Sequence, residues 1–302
     1  MHYNVHFDFV KHRKKFFAFS IIVTIIGIVA LLVFGLNRGV DFKAGTTLDI
    51  TSPQPMEKER VEQIFKEAGY DINPTVGGTT ASARFDKVLT QQEVEQIMAG
   101  FHAVYGEGVN KEENTVDVEL ANELALKAVY AVLLASLGII IYVAFRFEWR
   151  FGIAAIVSLL HDAFFVITLF SIFRWEINLP FVAAILTIIG YSINDTIVIF
   201  DRIRENLRFA KIKSFSDLSE LVNRSIWQTM TRSINTVVTV LIAAVLLFVL
   251  GSESIRYFSL AIVLGLAIGA YSSIFIASPL WLLLKTKWPG TTKKVAAAKN
   301  EV

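Results

Sequence analysis

The residues of this chain best placed to do chemistry are ionisable groups set inside apolar runs. Asp195 lies six positions before Asp201-Arg202, near the end of the run 179–200, with Ser192 and Asn194 beside it. His161-Asp162 falls in the middle of 151–173, and Arg232 opens the run 233–250. A charge at bilayer depth costs at least about 2.5–3.5 kcal/mol, so each of these is a candidate for ion or proton passage. At 1.5 Å of rise per residue, Asp195 sits about 9 Å inside the level of Asp201. If the following helix begins near Ile226, Arg232 lies equally deep, and two antiparallel neighbours present a carboxylate and a guanidinium at one level. Arginine keeps its proton, whereas aspartate can gain and lose one. The pair can therefore alternate between a salt bridge and a neutral acid beside a freed cation, which is the chemistry of a proton relay. The plainer readings are a static buried pair and, for Arg232, an interfacial cation. His161-Asp162 reads either as a further relay element or as a hydrogen-bonded packing pair, and Ser192 and Asn194 as groups that support Asp195 or pack helices.

These residues need a membrane around them, and the composition supplies it. Of 302 residues, 54% are hydrophobic, and the net charge of +2 gives no argument for nucleic-acid binding. There are no cysteines, which excludes disulfides and thiolate metal sites. A hydrocarbon core of about 30 Å needs about 20 apolar residues as a helix. Six runs meet or approach this, at 16–36, 125–145, 151–173, 179–200, 233–250 and 257–284. Helix is the conformation that satisfies their backbone in lipid. The first run follows Lys11, Arg13, Lys14 and Lys15 but is long for a signal peptide and has no small-residue cleavage pattern after it, so it reads as a retained anchor. Gly265 and Gly269, four apart in the last run, point to close helix contact.

Charge asymmetry orients the spans. The N-terminal stretch 1–15, the connection after the second run, the loop 201–232 and the tail 285–302 share eighteen basic residues, against Arg174 and Arg256 in the two short connections opposite. The positive-inside rule then places both termini in the cytoplasm and the segment 37–124 outside. Within that segment the pattern turns amphipathic. Short strands are expected at 47–50, 72–76, 81–85 and 115–119, and helices at 56–68 and 91–105. The order βαββαβ predicts a ferredoxin-like sandwich between the first two spans. It holds no clustered histidines and no nucleophile with a base, so it reads as a gripping or docking domain. There is no phosphate-binding loop, dinucleotide fingerprint or H-E-x-x-H, and the cytoplasmic parts are too short for an ATPase. No cofactor is expected; the energy source is an ion gradient, worth about 2.3 kcal/mol per charge per 100 mV.

Two motifs carry a family resemblance. Gly39-Val40-Asp41-Phe42-Lys43-Ala44-Gly45-Thr46 looks like a G-x-D-F-x-G-G-T motif, with Ala44 in place of the first of the paired glycines. The run from Gly190 through Asp195 to Asn206 resembles the signature of SecF, the smaller half of the bacterial SecDF translocation factor. Leu160-His161-Asp162 and the stretch around Thr231-Arg232-Ser233 fit the same pattern. The resemblance implies an architecture similar to half of a resistance–nodulation–division transporter, residing in the bacterial cytoplasmic membrane and paired with SecD. It further implies association with the SecYEG channel and use of the proton gradient to draw an unfolded polypeptide outward late in translocation. It makes Asp195 the proton carrier, Arg232 its partner, and Gly39, Asp41, Phe42, Gly45 and Thr46 a structural or hinge-like segment. In some lineages both halves are fused, whereas this chain stands alone. Three other readings stay open: half of a small-molecule or lipid exporter, an intramembrane hydrolase using His161 with Ser158, and a purely structural assembly factor of the translocon. On the family reading the chain is not an enzyme.

Overall fold

Long apolar stretches without breakers leave helix as the state that pairs every backbone group in lipid. The computed structural model, which describes residues 7–251 and 253–288, has six helical stretches long and apolar enough to cross a membrane. They are α1 (Arg13–Phe34), α5 (Val118–Arg146), α6 (Trp149–Ile172), α7 (Leu179–Phe209), α8 (Phe215–Leu250), and a last one formed by α9 (Glu253–Ser272), a π turn (Ser273–Ala277) and α10 (Ser278–Lys287). The π turn has a local cause: Pro279 has no N–H for the carbonyl of Phe275, and the wider turn accommodates its ring. α9 lies at the centre of the bundle, against α6, α7 and α8. Gly265 makes this possible, because a Cβ there would fall 2.2 Å from Ile188 of α7. The outward faces stay apolar, as with Leu126, Leu133 and Leu134 of α5 and Ile242, Leu246 and Val249 of α8, all exposed.

Between α1 and α5 lies an α/β domain. Its strands are β2 (Gly45–Thr51), β3 (Thr75–Gly77), β4 (Thr80–Phe85) and β5 (Asn110–Val116), and its helices α3 (Lys58–Glu67) and α4 (Gln91–Tyr105). The sheet is antiparallel throughout, in the order β3–β4–β2–β5. Alternation puts Leu48, Ile50, Ala83 and Phe85 on one face, where they meet Val61, Ile64 and Phe65 of α3 and Val94, Ile97 and Phe101 of α4. α4 starts where the sequence predicts, because Thr90 and Glu93 close a reciprocal capping box.

Four features differ from the sequence reading. The last strand of the domain is Asn110–Val116 and not 115–119: Asp117 accepts from the backbone N–H of Leu120 at 2.8 Å, so Val118 and Glu119 already belong to the first turn of α5. The second strand begins at Thr75, later than residue 72. The stretch 201–232 is not a loop; α7 runs on to Phe209 and α8 starts at Phe215, with Ser214 and Asp217 forming a second capping box. The N-terminal stretch is also not free of the bundle, since Phe9 and Val10 are buried and their N–H groups donate to Asn223 of α8. A two-residue strand β1 (Asn37–Arg38) and a short helix α2 (Val40–Lys43) follow α1, and β1 pairs in parallel with β6 (Glu176–Ile177), just before α7. The segment of the basic tail beyond residue 288 lies outside the described residues.

Candidate functional site

Two carboxylates stand inside the bundle. α7 carries the first, Asp195, half-buried where it faces α8 and α9. The Ser233 hydroxyl of α8 donates a short hydrogen bond to its Oδ1. The Oδ2 is enclosed and has no hydrogen-bond partner among the described residues. The Ser273 hydroxyl, bonded to Thr196 and to the Gly269 carbonyl, also stands close enough to act on the carboxylate. Beside it is a cavity of about 20 Å³, enough for one water, lined by Tyr191, Asn194, Asp195, Thr236 and Gly269 among others. A carboxylate with one oxygen fixed and the other unpartnered, on a residue that lines a water-sized space, can take up and release a proton without leaving its place.

The ion pair expected between Asp195 and Arg232 is not formed. Arg232 is exposed, makes no salt bridge with a described residue, and acts on Asp195 only through space. The reason is angular: successive helical residues point about 100° apart. Ser225, Ile226, Thr229, Met230 and Ser233 make the buried stripe of α8, so Ser233 turns inward and Arg232 does not. That stripe is visible in the sequence at spacings of three and four, and it was the signal that could have named Ser233 as the contact to Asp195.

The second carboxylate, Asp162 of α6, is 1% exposed. Its Oδ2 accepts from Ser192 of α7 at 2.5 Å and from Ser272 of α9 at 2.6 Å, while its Oδ1 lies 3.0 Å from Nδ1 of His161. Ser192 thus serves Asp162 and not Asp195, although it shares a helix turn with the latter. Asn194 is exposed on the rim of the cavity. His161 and Ser158 do not hydrogen-bond to one another; the Ser158 hydroxyl is buried without a partner among the described residues, so the geometry gives no serine–histidine couple. Ser272 and Ser273, which the sequence reading passed over, carry hydroxyls to both carboxylate regions, Ser273 lying 2.8 Å from the Thr196 hydroxyl.

The segment 39–46 joins the α/β domain to the start of α7. Asp41 is buried; its Oδ2 accepts from the backbone N–H of Leu179, the first residue of α7, at 2.8 Å, and its Oδ1 from Asn114 of β5 at 3.3 Å. One side chain therefore caps the helix that bears Asp195 and holds an edge strand of the domain. Gly39 donates its N–H to the carbonyl of Ile177 at 2.7 Å, Phe42 packs into the bundle core, and Thr46 accepts from the N–H of Leu89 at 2.9 Å. Gly45 has φ +141°, and a Cβ there would fall 2.3 Å from the Phe85 carbonyl oxygen. Ala44 holds φ +70°, a backbone region that favours glycine. Arg84 of β4 adds a salt bridge to Glu176 at 2.5 Å and a bond to the Arg38 carbonyl at 2.7 Å.

Comparison with known proteins agrees with both motifs. The model of the C-terminal part of the protein export membrane proteins SecD/SecF matches residues 96–287, and that of the SecD/SecF GG motif matches residues 29–54. The protein translocase subunit SecDF of Bacillus subtilis is 47% identical over 97% of this chain, which spans 39% of that relative's length. The protein translocase subunit SecF of Alicyclobacillus acidocaldarius is 45% identical over 93% of this chain and 94% of its own. Among solved structures, SecDF from Thermus thermophilus, a translocon-associated membrane protein, superposes with a TM-score of 0.80 at 32% identity, covering 95% of this chain and 40% of that one. SecDF in a super-membrane-facing form superposes with a TM-score of 0.67 at 30% identity, over 97% of this chain and 40% of that one. With its two motifs and its six apolar helices in place, the chain belongs to the SecD/SecF family of protein export membrane proteins.

Proposed function

We propose that this chain couples the proton gradient of the bacterial cytoplasmic membrane to late-stage export of proteins through the Sec channel, acting with a SecD subunit. On this reading both termini are cytoplasmic, as eighteen basic residues against two favour. The α/β domain, with the strand order of a ferredoxin-like sandwich, then stands outside, where it meets the emerging unfolded polypeptide. The SecYEG channel is the partner this implies, and no cofactor or enzymatic step is required.

The observation that carries the reading is the Asp195 carboxylate, tied by one oxygen to Ser233 and left without a partner at the other, on a residue that lines a water-sized cavity. Protonation weakens the hold of Asp195 on the Ser233 hydroxyl and on the charge of Arg232, and α8 is freed to shift against α7. Rigid halves that move about a midplane site are how related transporters alternate access. Asp41, bonded at once to the first residue of α7 and to β5, passes such a shift to the domain. The better superposition on one SecDF arrangement than on the other fits a machine with more than one state.

The test is Asp195→Asn in proteoliposomes holding the full chain, SecD and the channel. Assembly is expected to persist while gradient-dependent translocation drops to the level seen with the gradient collapsed. Undiminished translocation rejects the coupling and leaves a structural role in the translocon.

A further inference from the structure

Ser272, the last residue of α9, and Ser273, the first of the π turn, serve different neighbours. Ser272 donates to Asp162 of α6, and the same carboxylate oxygen accepts from Ser192 of α7, so one buried group ties three helices together. Ser273 lies against Thr196, the residue next to Asp195. The π turn begins at Ser273, and Ser278 donates to the Ser273 carbonyl at 2.9 Å, which closes the widened turn. Because neighbouring residues of a helix are fixed about 100° apart, rotation at Ser272 carries Ser273 with it. Gly269, one turn earlier, borders this seam: a Cβ there would stand in ordinary contact, 3.8 Å from Asp162 Oδ2 and 3.4 Å from Ser192 Cβ.

We propose that Asp162 is a positioning residue for Asp195: by holding Ser272 it fixes the rotation of α9, and with it the Ser273 hydroxyl beside Thr196 and Asp195. This deepens the proton-carrier reading of Asp195 and rests on it. Asp162 does not exchange the transported proton in this scheme. Its enclosure, at 1% exposure with both oxygens occupied by Ser192, Ser272 and His161, suits an anchor. Among the described residues, Arg232 of α8 is the charge that acts on Asp195 and Tyr191 of α7 shares its cavity, while Asp162 and His161 of α6 face the same helix at Ser192. α9 and the π turn contribute hydroxyls, and α5 meets this stretch of α7 with Ser136, Ile139 and Val143.

The experiment follows the reaction of Asp195 with a hydrophobic carbodiimide, which modifies protonated carboxyls in membranes, as a function of pH. Site-resolved mass spectrometry distinguishes Asp195 from Asp162, and the full chain is reconstituted with SecD. In Ser272→Ala and Ser273→Ala, which change no charge, the midpoint of Asp195 labelling is expected to move in one common direction, upward as a donor is lost. In Asp162→Asn it is expected to move as well, with the lost charge acting in the opposite sense. The displacement is about half a pH unit or more, roughly a threefold change in proton affinity. The double variant of Ser272 and Ser273 should move it no further than either alone, as coupled groups do. Ser259→Ala, which removes a buried hydroxyl of α9 bonded to its own helix at Ile255, should leave the midpoint in place. Should Asp162→Asn fail to fold, Ser272→Ala breaks the same link with a smaller change. Midpoints equal to that of the unaltered chain, even with reduced translocation, overturn the proposal while the carrier reading stands. Absence of pH-dependent labelling of Asp195 in the unaltered chain overturns the carrier reading and this inference together.

Discussion

Glu93 of the α/β domain and Asp195 of the bundle are both carboxylates on helices, yet their surroundings are opposite. Glu93 lies at the surface and accepts from Lys87 at 2.6 Å, Tyr70 at 3.0 Å, and both the N–H and the hydroxyl of Thr90 at 2.7 and 2.9 Å. Lys87 foremost, then the Thr90 donors, hold its carboxyl down at about 2. It stays charged at any physiological pH and serves only to start α4. Asp195 has one bonded oxygen, one buried oxygen without a partner among the described residues, and helices of a largely apolar bundle around it. In water a carboxylate gathers donors cheaply; within the bundle each donor must be supplied by a neighbouring helix, and here one oxygen is left without any. A group left short of partners in a low-dielectric setting is where protonation changes most, and of these two carboxylates that is Asp195.

Charge removal separates the two regions most strongly. Asp195→Asn should abolish gradient-driven export, whereas Glu93→Gln should leave it intact; equal losses in the reconstituted assay would erase the distinction. Backbone strain comes next. Gly45→Val forces a Cβ onto the Phe85 carbonyl and a disfavoured φ, at about 3 kcal/mol together, and should melt the domain before the bundle. Circular dichroism of the full chain in detergent would then show a loss of strand signal at a temperature where the helices persist. A single transition at the unaltered temperature would mean that the joint yields instead. Asp41→Ala removes one of the two side-chain bonds at the start of α7, that of Asn178 remaining, at up to about 1 kcal/mol, and export should fall further than that stability loss accounts for, since the bond to Asn114 goes as well. Equal melting and equal export would deny Asp41 a transmitting role.

The fold was legible where period and capping agree. Six apolar runs gave six helices, and the helical period placed α4 at 91–105 to the residue, where the structure adds the capping box of Thr90 and Glu93. The βαββαβ order followed from alternation in β2 and β4. The misplaced last strand has a simple cause: Val116 and Val118 alternate across Asp117 just as strand residues would, and only the cap made by Asp117 shows that the helix has begun. β1 and β6 are two residues each, too short for any period, so the clasp they form was invisible. Of the candidate site, Asp195 and Asp162 were legible because charge inside apolar sequence is conspicuous. Ser233, Ser272 and Ser273 were not singled out, because hydroxyls are common in such helices and their importance depends on which way each helix is rotated. Arg232 drew attention by its charge, while the inward stripe belonged to its neighbour.

Two smaller effects sharpen the contrast on the side of the domain. Ala44 holds φ +70°, where the family motif has glycine, so Ala44→Gly should raise the melting midpoint, with about 1 kcal/mol of strain relieved; an unchanged midpoint would place the strain elsewhere. The least effect is expected from pH acting on Glu93. Its carboxyl titrates near 2 when folded, below the unfolded value of about 4.3, so the folded state binds the proton later. The stabilisation is fully present above the unfolded value and is lost as pH falls from about 4.3 toward 2, because protonation then favours the unfolded chain. Exposure to solvent keeps the loss small, and salt reduces it further. Glu93→Gln should therefore flatten the acid side of the domain's stability curve without altering the neutral plateau by more than the lost capping bond. If the acid slope is the same in both proteins, the donors around Glu93 do not hold its proton off in solution, and the contrast with Asp195 must rest on burial alone.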